Sequence, residues 1–203
     1  ESTVIFQRFK GFKLKLYKIC YYLGYSSIDL LICQTENMRT QLIDNLPWIE
    51  SKVLIKVIKN PIVIPEDLNI NLKDTFIKGN YIVSAGRLIK EKGFDILIDA
   101  FKLIQKKHPD LKLVILGEGH LRIFLENKIG LLNLQNKVIL KGFVDNVYPY
   151  FRNAQACVIS SRVEGFPNVL LQMMSQNTKV ITTKCAGDIE GIEGLFIVND
   201  NIL

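Results

Sequence analysis

Histidine is nearly absent: His108 and His120 are the only two in 203 residues. The four cysteines (Cys20, Cys33, Cys157 and Cys185) are widely spaced and form no CxxC pair. No metal-ligand constellation is therefore visible, and no metal is expected at the site. Cys33 and Cys157 lie within apolar runs, which suits buried free thiols of a reducing compartment and makes the cytoplasm the expected location. The longest apolar stretches, such as Leu111–Gly117 with Lys112 inside it, fall far short of a bilayer span. Glu1–Cys20 has no basic segment followed by an apolar one, so a signal peptide is not expected. No low-complexity tract is present. The chain starts at Glu1 rather than Met and stops at Leu203, just past its last strand-like run. It is therefore expected to be a fragment that lacks a closing helix.

What is present is an ordinary globular composition, 48% hydrophobic and 23% charged, with six prolines and thirteen glycines. The length suits one good domain plus part of a second. The net charge of +6 is unevenly placed. Arg8, Lys10, Lys13, Lys15 and Lys18 crowd the first twenty residues, interleaved with Phe6, Phe9, Phe12, Leu14, Leu16 and Tyr17. Phe12, Leu16, Ile19 and Leu23 fall at helical spacing. Two readings stay open: a basic amphipathic helix on an anionic membrane surface, or a helix with a solvated basic face packed on its own domain. No nucleic-acid-binding module accompanies the charge, so no nucleic-acid partner is expected.

Strand and helix signals alternate along the chain. Asp29–Cys33 reads as a strand, Glu36–Leu46 as a helix and Val53–Ile58 as a strand. Two prolines, Pro61 and Pro65, then break regular structure. Residues 1–60 are read as the truncated end of an amino-terminal, acceptor-side domain, 61–79 as a linker and 80–203 as a donor-binding domain. From position 81 the strands are Tyr81–Ala85, Lys112–Leu116, Val138–Leu140, Ala156–Ser160, Lys179–Thr182 and Leu195–Val198. Helices at Gly93–Lys107, His120–Ile129, Val147–Arg152 and Pro167–Ser175 separate them. Nearly all-apolar strands alternating with helices predict an α/β, Rossmann-like, doubly wound parallel sheet.

Ligands of such sheets bind outside the carboxyl ends of the strands, so the loops there carry the candidate chemistry. The first, Ser84–Gly93, offers Gly86, Arg87 and Lys92; an arginine can bind a phosphate bidentately and a lysine can add a point charge. A plain solvated basic loop is the competing reading. Leu116-Gly117-Glu118-Gly119 resembles a phosphate loop, but position 122 is Arg, so the G-x-G-x-x-G pattern is incomplete and a tight strand-to-helix turn is the alternative. After the fourth strand, Glu164-Gly165-Phe166-Pro167-Asn168-Val169 forms a polar turn, with Pro167 read as the first helical residue. The following helix would aim free N–H groups at an anion. Glu164 is placed to accept hydrogen bonds from sugar hydroxyls, and a structural helix cap is the bland alternative. Gln172 lies two helical turns beyond Glu164.

Together these residues resemble glycosyltransferase family 4, retaining enzymes of the GT-B fold. Gly86-Arg87 with Lys92-Gly93 resembles that family's G-R-x4-K-G loop, and Glu164–Leu171 resembles the first part of its E-x7-E motif. Lys141-Gly142-Phe143-Val144 is similar to the segment that meets the nucleobase. The resemblance implies that Arg87 and Lys92 bind the donor diphosphate and that Glu164 contacts the transferred sugar. It implies backbone contacts to the donor from Gly165, Phe166, Pro167, Asn168 and Val169, and from Gly142, Phe143 and Val144 to the base.

The second glutamate of the motif is Gln172 here, which can accept one hydrogen bond from the ribose and donate another without charge assistance. Asn177 replaces the family's usual glycine, a mild departure because asparagine tolerates left-handed backbone. The implied activity is retaining, metal-independent sugar transfer from a UDP- or GDP-linked donor, without a cofactor. The implied acceptor is a glycan or polyprenyl-linked molecule of bacterial surface polysaccharide synthesis, met at the inner face of the membrane. A nucleotide-sugar 2-epimerase of the same fold and a nonenzymatic nucleotide-sugar-binding domain are the alternatives. Because the amino-terminal half would be missing, the chain alone is expected to bind nucleotide weakly and transfer nothing.

Overall fold

The computed structural model describes residues 5–6, 9–62, 77 and 79–199. The expected linker, 61–79, lies mostly outside the described residues. By their internal contacts the residues fall into two compact units. The first is Glu1–Pro61 with Val163–Phe166 and Ala186–Gly191; the second is Ile62–Arg162, Pro167–Cys185 and Ile192–Leu203.

In the first unit, helix α1 (Gly11–Tyr25) precedes strand β1 (Leu30–Cys33), helix α2 (Glu36–Asn45) and strand β2 (Leu54–Val57). Thr35 starts α2, its hydroxyl accepting the Met38 amide at 3.1 Å, which satisfies one of the donors that a helix start leaves unpaired. β1 and β2 pair in parallel, Leu30 opposite Leu54 and Cys33 opposite Val57. Cys33, Leu42, Leu46, Ile49 and Val53 form the core, with Tyr21, Tyr25 and Leu31 packed against it.

Helix α1 turns its tyrosines inward rather than its regularly spaced apolar stripe. The regularly spaced Phe12, Leu16, Ile19 and Leu23 are 81%, 53%, 57% and 67% exposed. Tyr21 and Tyr25 take the inner face instead, stacked on each other at 5.1 Å, with Phe6 edge-on to Tyr21 at 5.5 Å. Apolar spacing locates a helix, but aromatic area decides which stripe is buried.

The second unit is a six-stranded, all-parallel sheet. Its strands are β3 (Tyr81–Ala85), β4 (Lys112–Leu116), β5 (Val138–Gly142), β6 (Ala156–Ile159), β7 (Val180–Thr183) and β8 (Leu195–Val198), in the order β5-β4-β3-β6-β7-β8. Helices α3 (Phe94–Lys107), α4 (Arg122–Leu131), α5 (Tyr148–Asn153) and α6 (Asn168–Met174) link them. Phe94, Ile98 and Phe101 of α3 and Leu125 and Ile129 of α4 pack on Ile82, Leu113, Ile115 and Val138. On the other face the buried Tyr81 hydroxyl donates to the Tyr150 carbonyl of α5 at 2.9 Å. Side chains of both parities along β3 are thus buried, which explains its unbroken apolar run. The expected α/β, doubly wound parallel architecture is the observed one.

Three local expectations change. Pro167 is the residue before α6 rather than its first, and α6 begins at Asn168. His120 precedes α4, which begins at Arg122. Asn177 has no left-handed backbone, since among the described non-glycine residues only Asn133 does. Its side chain instead ties three backbone groups: Nδ2 donates to the carbonyls of Phe151 (2.9 Å) and Ala154 (2.8 Å), and Oδ1 accepts from Lys179 N. A glycine could make none of these bonds.

Candidate functional site

The strand order reverses between β3 and β6, and the loops leaving the carboxyl ends at such a switch point are where a doubly wound sheet binds its ligands. One of them, running from Gly86 to Gly93, carries both predicted cations. Leu88 is fully buried and pins this loop down, while its neighbour Arg87 stays exposed. Lys92 closes a short 3-10 turn, Lys90–Lys92. Its aliphatic stem lies along Gly86, with Cδ and Cε 3.3 and 3.4 Å from where a β-carbon of residue 86 would sit. Any side chain at position 86 would push that stem aside.

Backbone hydrogen bonds knit the neighbouring loops to this one. Gly86 N donates to Leu116 O at 2.9 Å, Leu88 N to Glu118 O at 2.9 Å, and Leu121 N to Leu88 O at 3.0 Å. Gly117 N reaches Gly142 O, at the end of β5, at 2.7 Å. Gly117 has φ +124°, and a β-carbon there would overlap the Gly86 carbonyl. The Gly117-Glu118-Gly119 pair is thus a close-packing device between loops. Arg122, which breaks the G-x-G-x-x-G pattern, bonds Glu118 at 2.6 Å, Glu126 at 2.9 Å and the Leu140 carbonyl at 3.1 Å, fastening α4 to β5.

The structure places the other predicted residues as follows. Gly142 is buried at the end of β5, Val144 is half-buried, and Phe143 is 75% exposed. Pro167 is buried, Asn168 is exposed, and Val169 and Gln172 are half-buried in α6. Glu164, Gly165 and Phe166 are half-buried and belong by their contacts to the first unit. Pro167, Asn168, Val169 and Gln172 thus belong to the second unit with Gly86, Arg87, Lys92 and Gly142, while the Glu164–Phe166 segment is not among its residues.

Sequence reasoning passed over Ser160, Arg162 and Asp95, which bind the lysine-bearing turn. Ser160 Oγ donates to Lys92 O at 2.9 Å, Arg162 N to Glu91 O at 2.7 Å, and Arg162 Nη1 to Lys90 O at 2.8 Å. The Arg162 guanidinium also grips both Asp95 carboxylate oxygens, at 2.8 and 2.7 Å. This pairing holds the Asp95 carboxyl below the usual carboxylate range, against the opposing effect of burial. The same bond raises the Arg162 pKa. The available signal was positional: Arg162 lies in the segment that leaves β6, after Ser160 and Ser161, and Asp95 lies in the first turn of α3. Among the described residues, no three His, Cys, Asp or Glu side chains cluster as a metal site, and no helix is long and apolar enough to cross a membrane.

A doubly wound parallel sheet in this strand order, with two cations on the loop at its switch point, defines a Rossmann-like α/β domain. Residues 68–194 match the family described as glycosyl transferases group 1, and the chain belongs to that family. It is 31% identical over 183 residues to an uncharacterized glycosyltransferase of Methanocaldococcus jannaschii, covering 87% of this chain and 45% of that protein. It is 34% identical over 159 residues to the N-acetylgalactosamine-N,N'-diacetylbacillosaminyl-diphospho-undecaprenol 4-alpha-N-acetylgalactosaminyltransferase of Campylobacter jejuni, covering 78% of this chain and 42% of that enzyme. The chain thus spans less than half the length of these relatives. Among solved structures, the Anabaena protein Alr3699/HepE in complex with UDP and glucose matches 93% of this chain and 54% of its own, with TM-score 0.75 and 22% identity. At that identity the likeness shows the fold.

Proposed function

We propose that this chain carries the donor-binding part of a retaining glycosyltransferase of family 4 with GT-B architecture, which moves a sugar from a nucleotide-diphosphate sugar to a glycan or lipid-linked acceptor. The observation that carries it is the paired cations Arg87 and Lys92 on a rigid, glycine-packed loop at the switch point of the sheet. Arg87 presents a planar, always-charged fork and Lys92 a compact charge, which suits two neighbouring phosphates. Both cations would stabilise the charge that develops on the departing diphosphate, and no bound metal is needed for that role. Glu164 would accept hydrogen bonds from the transferred sugar, Gln172 would meet the ribose, and backbone groups of Gly142, Phe143 and Val144 would meet the base. Gly165, Phe166, Pro167, Asn168 and Val169 would line the sugar and phosphates.

The Campylobacter relative acts on an undecaprenol-linked substrate, and other relatives serve capsular polysaccharide and lipopolysaccharide core biosynthesis. The proposed acceptor is of that surface-glycan kind, at the cytoplasmic face of the cell membrane. The exposed stripe Phe12, Leu16, Ile19 and Leu23, with Lys13 and Lys15 on the same helix, supports contact with an anionic bilayer. Co-sedimentation with phosphatidylglycerol vesicles should fall on Phe12→Asp and at high salt; binding indifferent to both would refute the membrane contact.

Calorimetric titration with UDP, GDP and their sugars tests the donor site. Arg87→Ala and Lys92→Ala should each weaken binding about 10- to 150-fold, the loss of one charge-assisted hydrogen bond worth about 1.5–3 kcal/mol. Equal affinity in wild type and both variants would overturn the assignment.

A further inference from the structure

Three consecutive carbonyls of the Lys90–Lys92 turn are each captured by the segment that follows β6. Lys90 O receives Arg162 Nη1, Glu91 O receives Arg162 N, and Lys92 O receives Ser160 Oγ. A 3-10 turn has poor hydrogen-bond geometry of its own and seldom persists unsupported. Here the support comes from residues about 70 positions along the chain. Lysine is a flexible point charge, so its location is set by the backbone beneath it and by what its stem rests on.

Arg162 is itself a cation at the same switch point, and its geometry sets it a different task from that of Arg87. Nη1 and Nη2 are committed to the two Asp95 oxygens, and Nη1 also to the Lys90 carbonyl. Asp95 sits in the first turn of α3, immediately beyond the turn that carries Lys92. Gly93, between the two, adopts φ +63°, and a β-carbon there would overlap the Ser160 carbonyl. The Arg162–Asp95 pair therefore ties the end of β6 to the start of α3 and fixes the intervening turn from both ends.

We propose that Arg162, locked by Asp95, is a positioning residue for donor binding: it holds the Lys90–Lys92 turn so that the Lys92 ammonium meets the diphosphate, without touching the ligand itself. This rests on the donor-site reading above. A half-buried pair with bidentate geometry supplies direction as well as charge. A lysine at position 162 keeps the charge but loses the fork.

The test is a double-mutant cycle read by UDP affinity, with the unfolding midpoint followed in parallel. Arg162→Lys should weaken UDP binding about five- to tenfold in the wild-type background and less than about twofold in the Lys92→Ala background, because its effect passes through Lys92. Asp95→Asn should reproduce the pattern and serves if Arg162→Lys does not fold. Asp95→Glu, which keeps the carboxylate, should recover part of the loss. Equal loss in both backgrounds would overturn the proposal, as it would mark Arg162 as a direct ligand or a generally structural residue. Unchanged affinity in Arg162→Lys would overturn it as well, while leaving the donor site standing. Absence of UDP binding by wild type would instead defeat the donor-site reading and this inference with it.

Discussion

Gly93→Ala is the sharpest test of how the lysine-bearing turn is built. The glycine sits at φ +63°, and a β-carbon there would lie far closer to Ser160 O than the 3.0 Å below which real contacts essentially never fall. Left-handed backbone alone costs a non-glycine residue about 1–2 kcal/mol. Relief of the overlap must separate the turn from the end of β6, where Ser160 Oγ–Lys92 O and Arg162 N–Glu91 O hold the two together. Each of those hydrogen bonds contributes about 1 kcal/mol net. The expected destabilisation is therefore about 3–4 kcal/mol, a large share of the roughly 5–15 kcal/mol of a typical domain. Denaturant unfolding monitored by circular dichroism would measure it. Gly130→Ala in α4 is the control, because a β-carbon there meets only Gln135 Nε2 at 3.9 Å; it should leave stability unchanged or raise it by up to about 1 kcal/mol. A Gly93→Ala variant within about 1 kcal/mol of wild type would show that the turn and β6 are not rigidly joined, refuting the steric reasoning.

Two further outcomes follow from the same geometry. Asp95 has a lowered pKa because Arg162 bonds its carboxylate, so its contribution is fully present above about pH 4, the unfolded value, and fades as pH falls through the folded one. The stability gap between wild type and Asp95→Asn should accordingly be widest near neutrality and close on acidification; a gap independent of pH would contradict this. Of the four cysteines only Cys20 is exposed, and burial pushes the Cys157 thiol up to about 12 and raises that of Cys33. Native thiol titration should therefore find one fast equivalent, with the other three appearing in denaturant; fast reaction of Cys157 would refute its placement.

Much of the architecture was legible because each element announced itself locally. Tyr81–Ala85, Lys112–Leu116 and Leu195–Val198 have the bounds their sequence pattern predicts, since short apolar runs between turn residues leave little choice of end. Pro167 lies one position before its expected place in the helix, because a proline suits the last non-helical residue as readily as the first helical one. The cations Arg87 and Lys92 were visible as a loop motif. The residues that hold the loop were not: Ser160, Arg162 and Asp95 come together only once β3 and β6 are neighbours, and that adjacency is a property of topology rather than of spacing. Likewise the inward face of α1 depends on which partner surface it meets. Its apolar stripe and its tyrosines have the same helical period, so pattern alone cannot rank them.

The central position of β3 has a consequence for how the second unit assembles. Its pairing with β4 joins residues about 31 apart, Ile82 to Leu113, whereas its pairing with β6 joins Ile82 to Ala156, about 74 apart. Loop-closure entropy grows with that separation, and a distant strand must be brought in before its contacts offset the cost. The β3–α3–β4–α4–β5 half can therefore condense first, leaving one edge of β3 unpaired until the β6 half arrives. The Gly86–Gly93 loop is fastened by Ser160 and Arg162 from beyond β6, so its cations take their final place only when the two halves of the sheet are joined.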